Sequence, residues 1–259
     1  MLTLYGLKLA FRMKFKIFVI NLDTSLDRLA SIQKSCDHLE LRFQRVSAVL
    51  GSDLGKEEKA KVYNLRDNLR KYDKALNDGE IGCYLSHAEC WTKIIEDELD
   101  YALVLEDDAI LTDELPLYIE KLAASCHEWD YIRLSHGSKV KPVISSVDLG
   151  EGLFLQRALK LNSTTTGQFI SFRGAEKLLS SAFPISRPVD IDIQHWYETS
   201  LRCFVVSPFP VLNHDFESEI NQFSDRRDVK KRPIRRIWQK VKFEVLLVLN
   251  YFRLPKLPR

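Results

Sequence analysis

Residues 101–110 read YALVLEDDAI: five residues typical of a protein interior, followed at once by three carboxylates, Glu106, Asp107 and Asp108. The uninterrupted apolar run predicts a buried strand in the middle of a sheet. Crowded carboxylates raise one another's pKa unless a cation lies among them, and hard oxygen ligands suit Mg²⁺ or Mn²⁺. The stretch therefore predicts a central strand whose carboxyl end holds a divalent metal. The alternative is an acid-rich helix N-terminus, which the helix dipole favours.

Strands and helices alternate on both sides of this segment. Runs of apolar, β-branched and aromatic residues predict strands at 16–22, 42–49, 131–135, 152–159 and 167–172. A late strand is predicted within 203–212, where Pro208 and Pro210 end it. Helical spacing predicts helices at 23–39, 77–97 and 173–183 and another near Pro116, with a charged peripheral segment at 56–76. This alternation indicates an α/β layer architecture, and 259 residues suffice for one substantial domain.

Composition excludes several classes of protein. Hydrophobic content of 45% with 29% charged residues is globular, and no stretch approaches the ~20 apolar residues of a membrane span. Five cysteines without a CxxC pair favour reduced thiols. The chain has neither GxGxxG after its first strand nor GxxxxGK[ST], so a bound diphosphate must be neutralised without a glycine-rich loop. Met13 is an alternative start, which would make residues 1–12 an upstream extension.

The net charge of +2 conceals a basic tail. Residues 226–259 carry twelve lysines and arginines and two acidic residues, which leaves 26 basic and 34 acidic residues in 1–225. After Pro233, apolar residues recur at helical spacing: Ile234, Ile237, Trp238, Val241, Val245, Val248, Leu249 and Phe252.

This tail predicts an interfacial helix that binds anionic lipid. The alternatives are a terminal helix docked on the body and, less favoured, a nucleic-acid-binding segment, for which the chain offers no aromatic platform or known module. We therefore expect a body at 1–225, a basic amphipathic membrane-association segment at 226–259, and no nucleic-acid partner.

Five segments together, in this order, resemble glycosyltransferase family 25, which includes bacterial lipooligosaccharide galactosyltransferases and collagen galactosyltransferases. The segments are FVINLDTSLDR (18–28), GEIGCYLSHAECW (79–91), LVLEDDAIL (103–111), TTTGQFISFRGAEKLL (164–179) and RPVDIDI (187–193). The resemblance covers roughly residues 15–220. It implies a GT-A-type fold, with a mixed, mostly parallel sheet that binds a UDP-sugar, and an inverting transfer to an acceptor sugar.

The resemblance also assigns roles to the acidic segment. It implies that Asp108 binds the metal, that Glu106 lies nearer the ribose as a further metal ligand, and that Asp107 contacts the donor. His214, which follows a late strand, would be a third protein ligand to Mn²⁺ or Mg²⁺. The alternative for His214 is a loop histidine that hydrogen-bonds locally.

Further donor contacts follow from the same resemblance. Asn21 and Arg28 match the family's Asn-Leu…Arg pattern, and Ala48 stands where the second strand ends. Arg28 would contact the diphosphate or uracil, or alternatively pair with a nearby acid. Ser86 and His87 lie on the helix before the acidic strand, and His87 is equally consistent with a buried, hydrogen-bonded histidine.

An inverting transfer needs a base that accepts the proton of the acceptor hydroxyl. Asp190 matches the family's Val-Asp pair and is the first candidate; Asp192 is the second. The alternative for either is a helix N-cap. The family's Gly-Tyr before the ISF strand is Gly167-Gln168 here, which leaves the acceptor open.

The sequence thus predicts a UDP-galactose-dependent, inverting β-1,4-galactosyltransferase. Its acceptor would be a lipid-linked bacterial lipooligosaccharide, and it would lie on the cytoplasmic face of the inner membrane. Donor and acceptor identities rest on family analogy. A metal-dependent phosphoesterase and a non-catalytic carbohydrate- or membrane-binding protein are the two alternatives.

Overall fold

A computed structural model of the chain describes residues 13–135, 141–213 and 233–258. Ten strands are formed within them. In chain order they are β1 (Phe15–Asn21), β2 (Gln44–Ser47), β3 (Tyr101–Glu106), β4 (Ala109–Leu111), β5 (Tyr131–Arg133), β6 (Val143–Gly150), β7 (Leu153–Ala158), β8 (Gly167–Ser171), β9 (Cys203–Ser207) and β10 (Val211–Asn213). The same residues form nine α-helices. They are α1 (Leu26–His38), α2 (Lys56–Val62), α3 (Leu65–Lys71), α4 (Asp78–Glu96), α5 (Leu115–Ala123), α6 (Phe172–Ala182), α7 (Val189–Gln194), α8 (Trp196–Thr199) and α9 (Pro233–Leu249).

Eight strands form one mixed sheet in the order β2-β1-β3-β8-β5-β9-β7-β6. Strands β1, β2 and β3 are parallel, as are β5 and β9, whereas β8 and β7 run antiparallel to their neighbours. Most strands of the sheet therefore point the same way, as expected for a mostly parallel α/β sheet. β3, the segment with the longest apolar run, lies inside the sheet with five fully buried residues.

The sheet is covered by helices on both faces because its strands bury alternate residues on opposite sides. On one face, Phe18 and Val104 pack with α4 and α6. On the other, Val19 and Leu103 pack with α1 and α5. Each face has its own hydrophobic cluster, so the carboxyl end of β3 emerges between two helical layers.

The late strand ends at the prolines, as predicted: β9 stops at Ser207, just before Pro208. The residues after Pro210 form a separate strand, β10, in another sheet. β10 pairs antiparallel with β4, so that Asn213 lies opposite Ala109. The sequence reasoning also missed β4 and β6, which are short or largely exposed.

α9 lies on the α4 side of the sheet. Leu247 belongs to the same hydrophobic cluster as α4, and the ring of Phe243 lies 4.5 Å from that of His195, at the end of α7. Lys160 forms an ion pair with Glu244. The opposite side of α9 carries a solvent-exposed apolar stripe: Ile234, Ile237, Trp238, Val241, Val245, Val248 and Leu249, continued by Phe252. Among the helices of the described residues, none is both long and apolar enough to span a membrane.

Candidate active site

The parallel pairing of β1, β2 and β3 gathers polar groups at one edge of the sheet. Ile20 pairs with Glu106, so Asn21 lies beside the acidic segment. The backbone N–H of Ala48 donates to the carbonyl of Asn21 at 2.9 Å. Since ligands of α/β proteins bind outside the carboxyl ends of parallel strands, this edge is the expected location of a site.

Two glycines let α4 approach this edge closely. A Cβ on Gly51 would overlap the carbonyl of Asp78, and a Cβ on Gly82 would overlap that of Val49. Glycine is therefore needed at both positions, and the first turns of α4 lie directly against the segment that follows β2. The N-terminus of α4 is fixed by Asn77, whose side chain accepts from the N–H of Glu80.

A pocket of about 780 Å³, partly open to solvent, lies between α4, β1 and β3. Its lining includes seven of the predicted donor and metal residues: Arg28, Ala48, Ser86, His87, Glu106, Asp107 and Asp108. Asn21 lies beside it with 1% of its surface exposed. We call this cavity the donor pocket. The sequence-predicted residues are thus brought together, and their roles stay predictions.

Asp107 is held by two of those residues. Arg28 Nη1 lies 3.1 Å from Asp107 Oδ1, and Asn21 Nδ2 donates to Asp107 Oδ2 at 2.7 Å. Arg45 Nε in turn donates to Asn21 Oδ1 at 2.9 Å. A chain of hydrogen bonds therefore fixes Asp107, and Arg28 pairs with this acid rather than with Asp23 or Asp27.

Glu106 is held by a second hydrogen-bond chain. Its Oε1 accepts from Thr165 Oγ1 at 2.6 Å and lies 3.0 Å from His87 Nε2. The amide nitrogen of Gln168 lies 2.9 Å from His87 Nδ1. Burial acts to raise the pKa of Glu106, but the hydrogen bonds and charge of His87 and the bond from Thr165 outweigh it, so that the pKa is lowered overall. His87 itself has 1% of its surface exposed.

Asp108 is different from its two neighbours. Its Oδ1 is buried and has no hydrogen-bond partner among the described residues. Burial, then the charges of Glu106 and Asp107, raise the pKa of Asp108 to about 7. A buried carboxylate oxygen without a partner, next to two further carboxylates, fits a divalent metal with oxygen ligands.

Cys83 adds a softer ligand to this region. Its sulfur lies within 4.8 Å of ligand atoms of both His87 and Glu106. Burial, with the charge of Glu106 next, raises the pKa of this thiol well above its ordinary value. Without a cation Cys83 is therefore a neutral thiol at neutral pH, and a metal that bound it would have to displace its proton.

A second cavity adjoins the donor pocket. It measures about 920 Å³ including space open to solvent, and it contains Asp190 together with Lys74, Glu80 and Thr165. Glu106 and Cys83 line both cavities. We call this second cavity the acceptor-side pocket. The two candidate carboxylate clusters therefore face one continuous crevice.

Asp190 and Asp192 have unlike surroundings. Burial raises the pKa of Asp190, and no side chain of the described residues forms an ion pair with it. Asp192 accepts from Tyr84 Oη at 2.8 Å and pairs with Arg187 at 2.9 Å. It does not line the acceptor-side pocket. This geometry favours Asp190 over Asp192 as a group that meets a ligand.

Two other predicted residues have distinct positions. Ser86 is buried, accepts from the N–H of Val49 and donates to the carbonyl of Gly82, both at 2.8 Å. His214 lies outside the described residues. Its chain neighbour Asn213 pairs with Ala109, which directly follows Asp108.

The sequence reasoning missed several residues of the crevice. Thr165 and Cys83 lie within the quoted segments TTTGQFISF and GEIGCYLSH, so their segments were found but not their roles. Arg133 is fully buried in β5, and its charge lowers the pKa of Asp190. An arginine in the strand run YIRLS was the available signal, since a charge inside a central strand is rare.

Comparison with known proteins places the chain in a family. The model of "Glycosyltransferase family 25 (LPS biosynthesis protein)" matches residues 14–193. The chain belongs to glycosyltransferase family 25. The matched region runs from β1 into α7 and includes the residues that line both pockets, so the whole crevice lies within the family 25 part of the chain.

Named relatives belong to the same family. Procollagen galactosyltransferase 1-B of Xenopus laevis is 27% identical over 232 residues, which cover 81% of this chain and 38% of that protein. Probable inactive glycosyltransferase 25 family member 3 of Bos taurus is 30% identical over 186 residues, which cover 68% of this chain and 30% of that protein. The chain therefore spans about two fifths or less of the length of these relatives.

A solved glycosyltransferase structure is more distant. It is described as involved in the glycosylation of the major capsid of PBCV-1, and it matches with a TM-score of 0.42 at 10% identity. The match covers 81% of this chain and 96% of that one. Such a similarity is too low to assign a GT-A fold, which stays a prediction.

Proposed function

We propose that this protein is a metal-dependent inverting glycosyltransferase that uses a UDP-sugar. The observation that carries the proposal is the junction of the two pockets. Glu106 lines both; Asp108 lies on the donor side, and Asp190 lies on the other. A sugar transferase needs this order of parts, with a nucleotide-diphosphate site, a reacting carbon and a base along one crevice.

Asp190 is suited to act as the base. Its carboxylate would accept the proton of the acceptor hydroxyl while that oxygen attacks the anomeric carbon of the donor. The new C–O bond forms as the bond between that carbon and the UDP oxygen breaks, and UDP leaves with the electron pair. A raised pKa improves the proton affinity of Asp190 relative to an ordinary aspartate.

Asp108 and Glu106, with His214 as a further ligand, would hold Mn²⁺ or Mg²⁺. When bound, the cation would neutralise the diphosphate of the leaving UDP as a Lewis acid. The pairing of Asn213 with Ala109 supports the inclusion of His214, because it brings the preceding residue next to the acidic segment. Arg28 and Asn21 would keep Asp107 oriented at the rim of the donor pocket.

For the donor we propose UDP-galactose, and for the product a β-1,4-linked galactose on bacterial lipooligosaccharide. The relatives named as procollagen galactosyltransferases support galactose, and the family's description as an LPS biosynthesis protein supports the acceptor. A GT-A-type fold is part of the same proposal.

α9 would hold the enzyme on the cytoplasmic face of the inner membrane. Its exposed stripe includes Trp238 (65% exposed) and Ile237 (66%) and lies opposite the face that contacts the body. Lys240 and Lys242 flank this stripe, so apolar and basic groups face outward together, as an anionic membrane requires.

Liposome sedimentation tests the membrane proposal. Replacement of Trp238 and Ile237 by glutamate should abolish sedimentation with phosphatidylglycerol vesicles and leave turnover of soluble substrates unchanged. These point changes are preferable to deletion of the helix, which would uncover the buried contact of Leu247. Equal sedimentation of both proteins would rule out α9 as the membrane contact.

A donor screen tests the catalytic proposal. Hydrolysis of UDP-galactose, UDP-glucose and UDP-N-acetylglucosamine is measured with and without Mn²⁺, together with calorimetric titration of UDP. We expect UDP binding that depends on Mn²⁺ and fastest hydrolysis of UDP-galactose. An affinity for UDP that is the same with and without Mn²⁺ would contradict the proposal. Steady release of phosphate from simple phosphate esters would favour a phosphoesterase.

A further inference from the structure

A buried arginine of the central sheet has no direct ion-pair partner among the described residues. Arg133, the last residue of β5, has no solvent exposure. Its Nε and both terminal nitrogens find no hydrogen-bond partner within the described part of the chain. The guanidinium carbon lies 5.1 Å from the centre of the Tyr131 ring. A guanidinium stays charged at any ordinary pH, so this charge requires compensation from groups that it does not touch.

The position of Arg133 follows from the strand register. It pairs with Gln168 on β8 and with Val205 on β9. Because side chains alternate along a strand, Arg133 shares the sheet face of Tyr131, which packs in the same cluster as α4 and α7. Arg133 therefore lies on the sheet face that is covered by α4 and by α7, the helix that carries Asp190.

The other charged groups around Asp190 are mainly acidic. Burial is the largest influence on Asp190 and raises its pKa; Arg133 lowers it, and the carboxylates of Glu106 on β3 and Glu80 on α4 raise it. Lys74, which lines the same pocket, is paired with Glu80 at 2.9 Å. The charge of Arg133 thus opposes both burial and like-charge repulsion at Asp190.

Two further titratable groups that interact with Asp190 are neutral at neutral pH. Burial raises the pKa of the Cys83 thiol and of the Tyr131 hydroxyl, and the charge of Asp190 adds to both effects. We propose, on the basis of the proposed function, that Arg133 is a positioning residue for the transfer reaction. Its buried charge keeps Asp190 ionised, and therefore ready to act as a base, in a crevice otherwise crowded with carboxylates.

A pH–rate profile of the full-length protein tests this role. UDP-galactose hydrolysis with Mn²⁺ is measured from pH 5 to 9 for the wild type, Arg133→Met and Arg133→Lys. We expect Arg133→Met to move the acidic limb of the profile to higher pH by about one unit. The hydrolysis rate on that limb should therefore fall roughly tenfold and should recover at higher pH. Arg133→Lys should keep the wild-type profile. Arg66→Met, which removes an exposed charge, is the matched control.

A second readout does not depend on turnover. The NMR signal of the Asp190 carboxyl carbon is followed as a function of pH without metal, and it is assigned as the signal that disappears in Asp190→Asn. Arg133→Met should raise the pKa of Asp190 by about one unit. Arg133→Gln is used if Arg133→Met does not fold. An unshifted titration in a folded neutral variant overturns the role of Arg133. If the pKa of Asp190 shifts in the variant but the wild type hydrolyses no UDP-sugar, the electrostatic role of Arg133 is supported and the proposed function is contradicted.

Discussion

The acidic end of β3 and the first turn of α7 both carry a paired and an unpaired carboxylate. At β3, Asp107 is tied to Arg28 and Asn21, whereas Asp108 Oδ1 has no partner among the described residues. At α7, Asp192 is tied to Arg187 and Tyr84, whereas no ion pair is formed by Asp190 within those residues. In both places a carboxylate that is held by other side chains lies close to one that no ion pair holds, which leaves the second available to a ligand.

The two unpaired carboxylates differ in what surrounds them. Burial, then the charges of two adjoining carboxylates, raise the pKa of Asp108, and a bound cation would offset both effects. Burial raises the pKa of Asp190, and the charge of the buried Arg133 lowers it. The first environment suits a metal ligand and the second suits a base that works without one. Variants of these residues test whether the two carboxylates differ in this way.

Asp108→Asn should have the largest effect. The variant removes a ligand charge from the acidic segment, and a metal that contributes several kcal/mol corresponds to a loss of about 10³-fold in turnover of UDP-galactose. Calorimetry should show that Mn²⁺ no longer strengthens UDP binding. Asp113→Asn, an exposed acid five residues further on, is the control and should be active. Near-normal activity of Asp108→Asn would contradict a metal role for this residue.

Asp190→Asn should lower turnover by about 10²- to 10⁴-fold, the usual contribution of a general base. UDP binding with Mn²⁺ should be unchanged, because Asp190 does not line the donor pocket. Asp192→Asn, the matched control on the same helix, should retain most activity. If Asp192→Asn were the more damaging change, the base would be assigned to the wrong aspartate.

Arg28→Ala should weaken UDP binding by about tenfold, since a hydrogen bond to a charged group contributes roughly 1.5 kcal/mol. Its removal also leaves the charge of Asp107 without the Arg28 ion pair, which adds negative charge where the diphosphate is expected. Turnover at saturating donor should change less than the affinity. Unchanged UDP affinity would show that Arg28 only orients Asp107.

The same two regions show which features of the fold and the site could be predicted from the sequence. The strand at 101–106 and its acids were predictable because a long apolar run that ends in charges is typical of a central strand that reaches the edge of its sheet. The partners of the individual acids were not predictable, because Asp107 and Arg28 are 79 residues apart and meet only through the parallel register of β1 and β3. The pairing of Gln168 with Arg133 likewise depends on the β5–β8 register. The end of β9 at Pro208 was predictable, whereas the pairing of β10 with β4 was not.

The smallest expected effect is one of stability, and it differs in sign between the two aspartates. Asp192→Asn should lower the melting temperature by about 3–6 °C, because it weakens an ion pair to Arg187, which is 4% exposed. Asp190→Asn should raise it by about 1–4 °C at pH 8, because it removes a half-buried carboxylate whose ionisation the fold disfavours.

The pH dependence of this difference identifies its cause. The pKa of Asp190 is raised in the folded protein, so the wild type loses stability relative to Asp190→Asn as pH rises through that folded pKa. Below about pH 4, where the aspartate of the unfolded chain is also protonated, the advantage of the variant should vanish. Thermal denaturation of the wild type and both variants at pH 4, 6 and 8 measures this. A stabilisation of Asp190→Asn that is equal at all three values would show that shape or packing, and not buried charge, distinguishes Asp190 from Asp192.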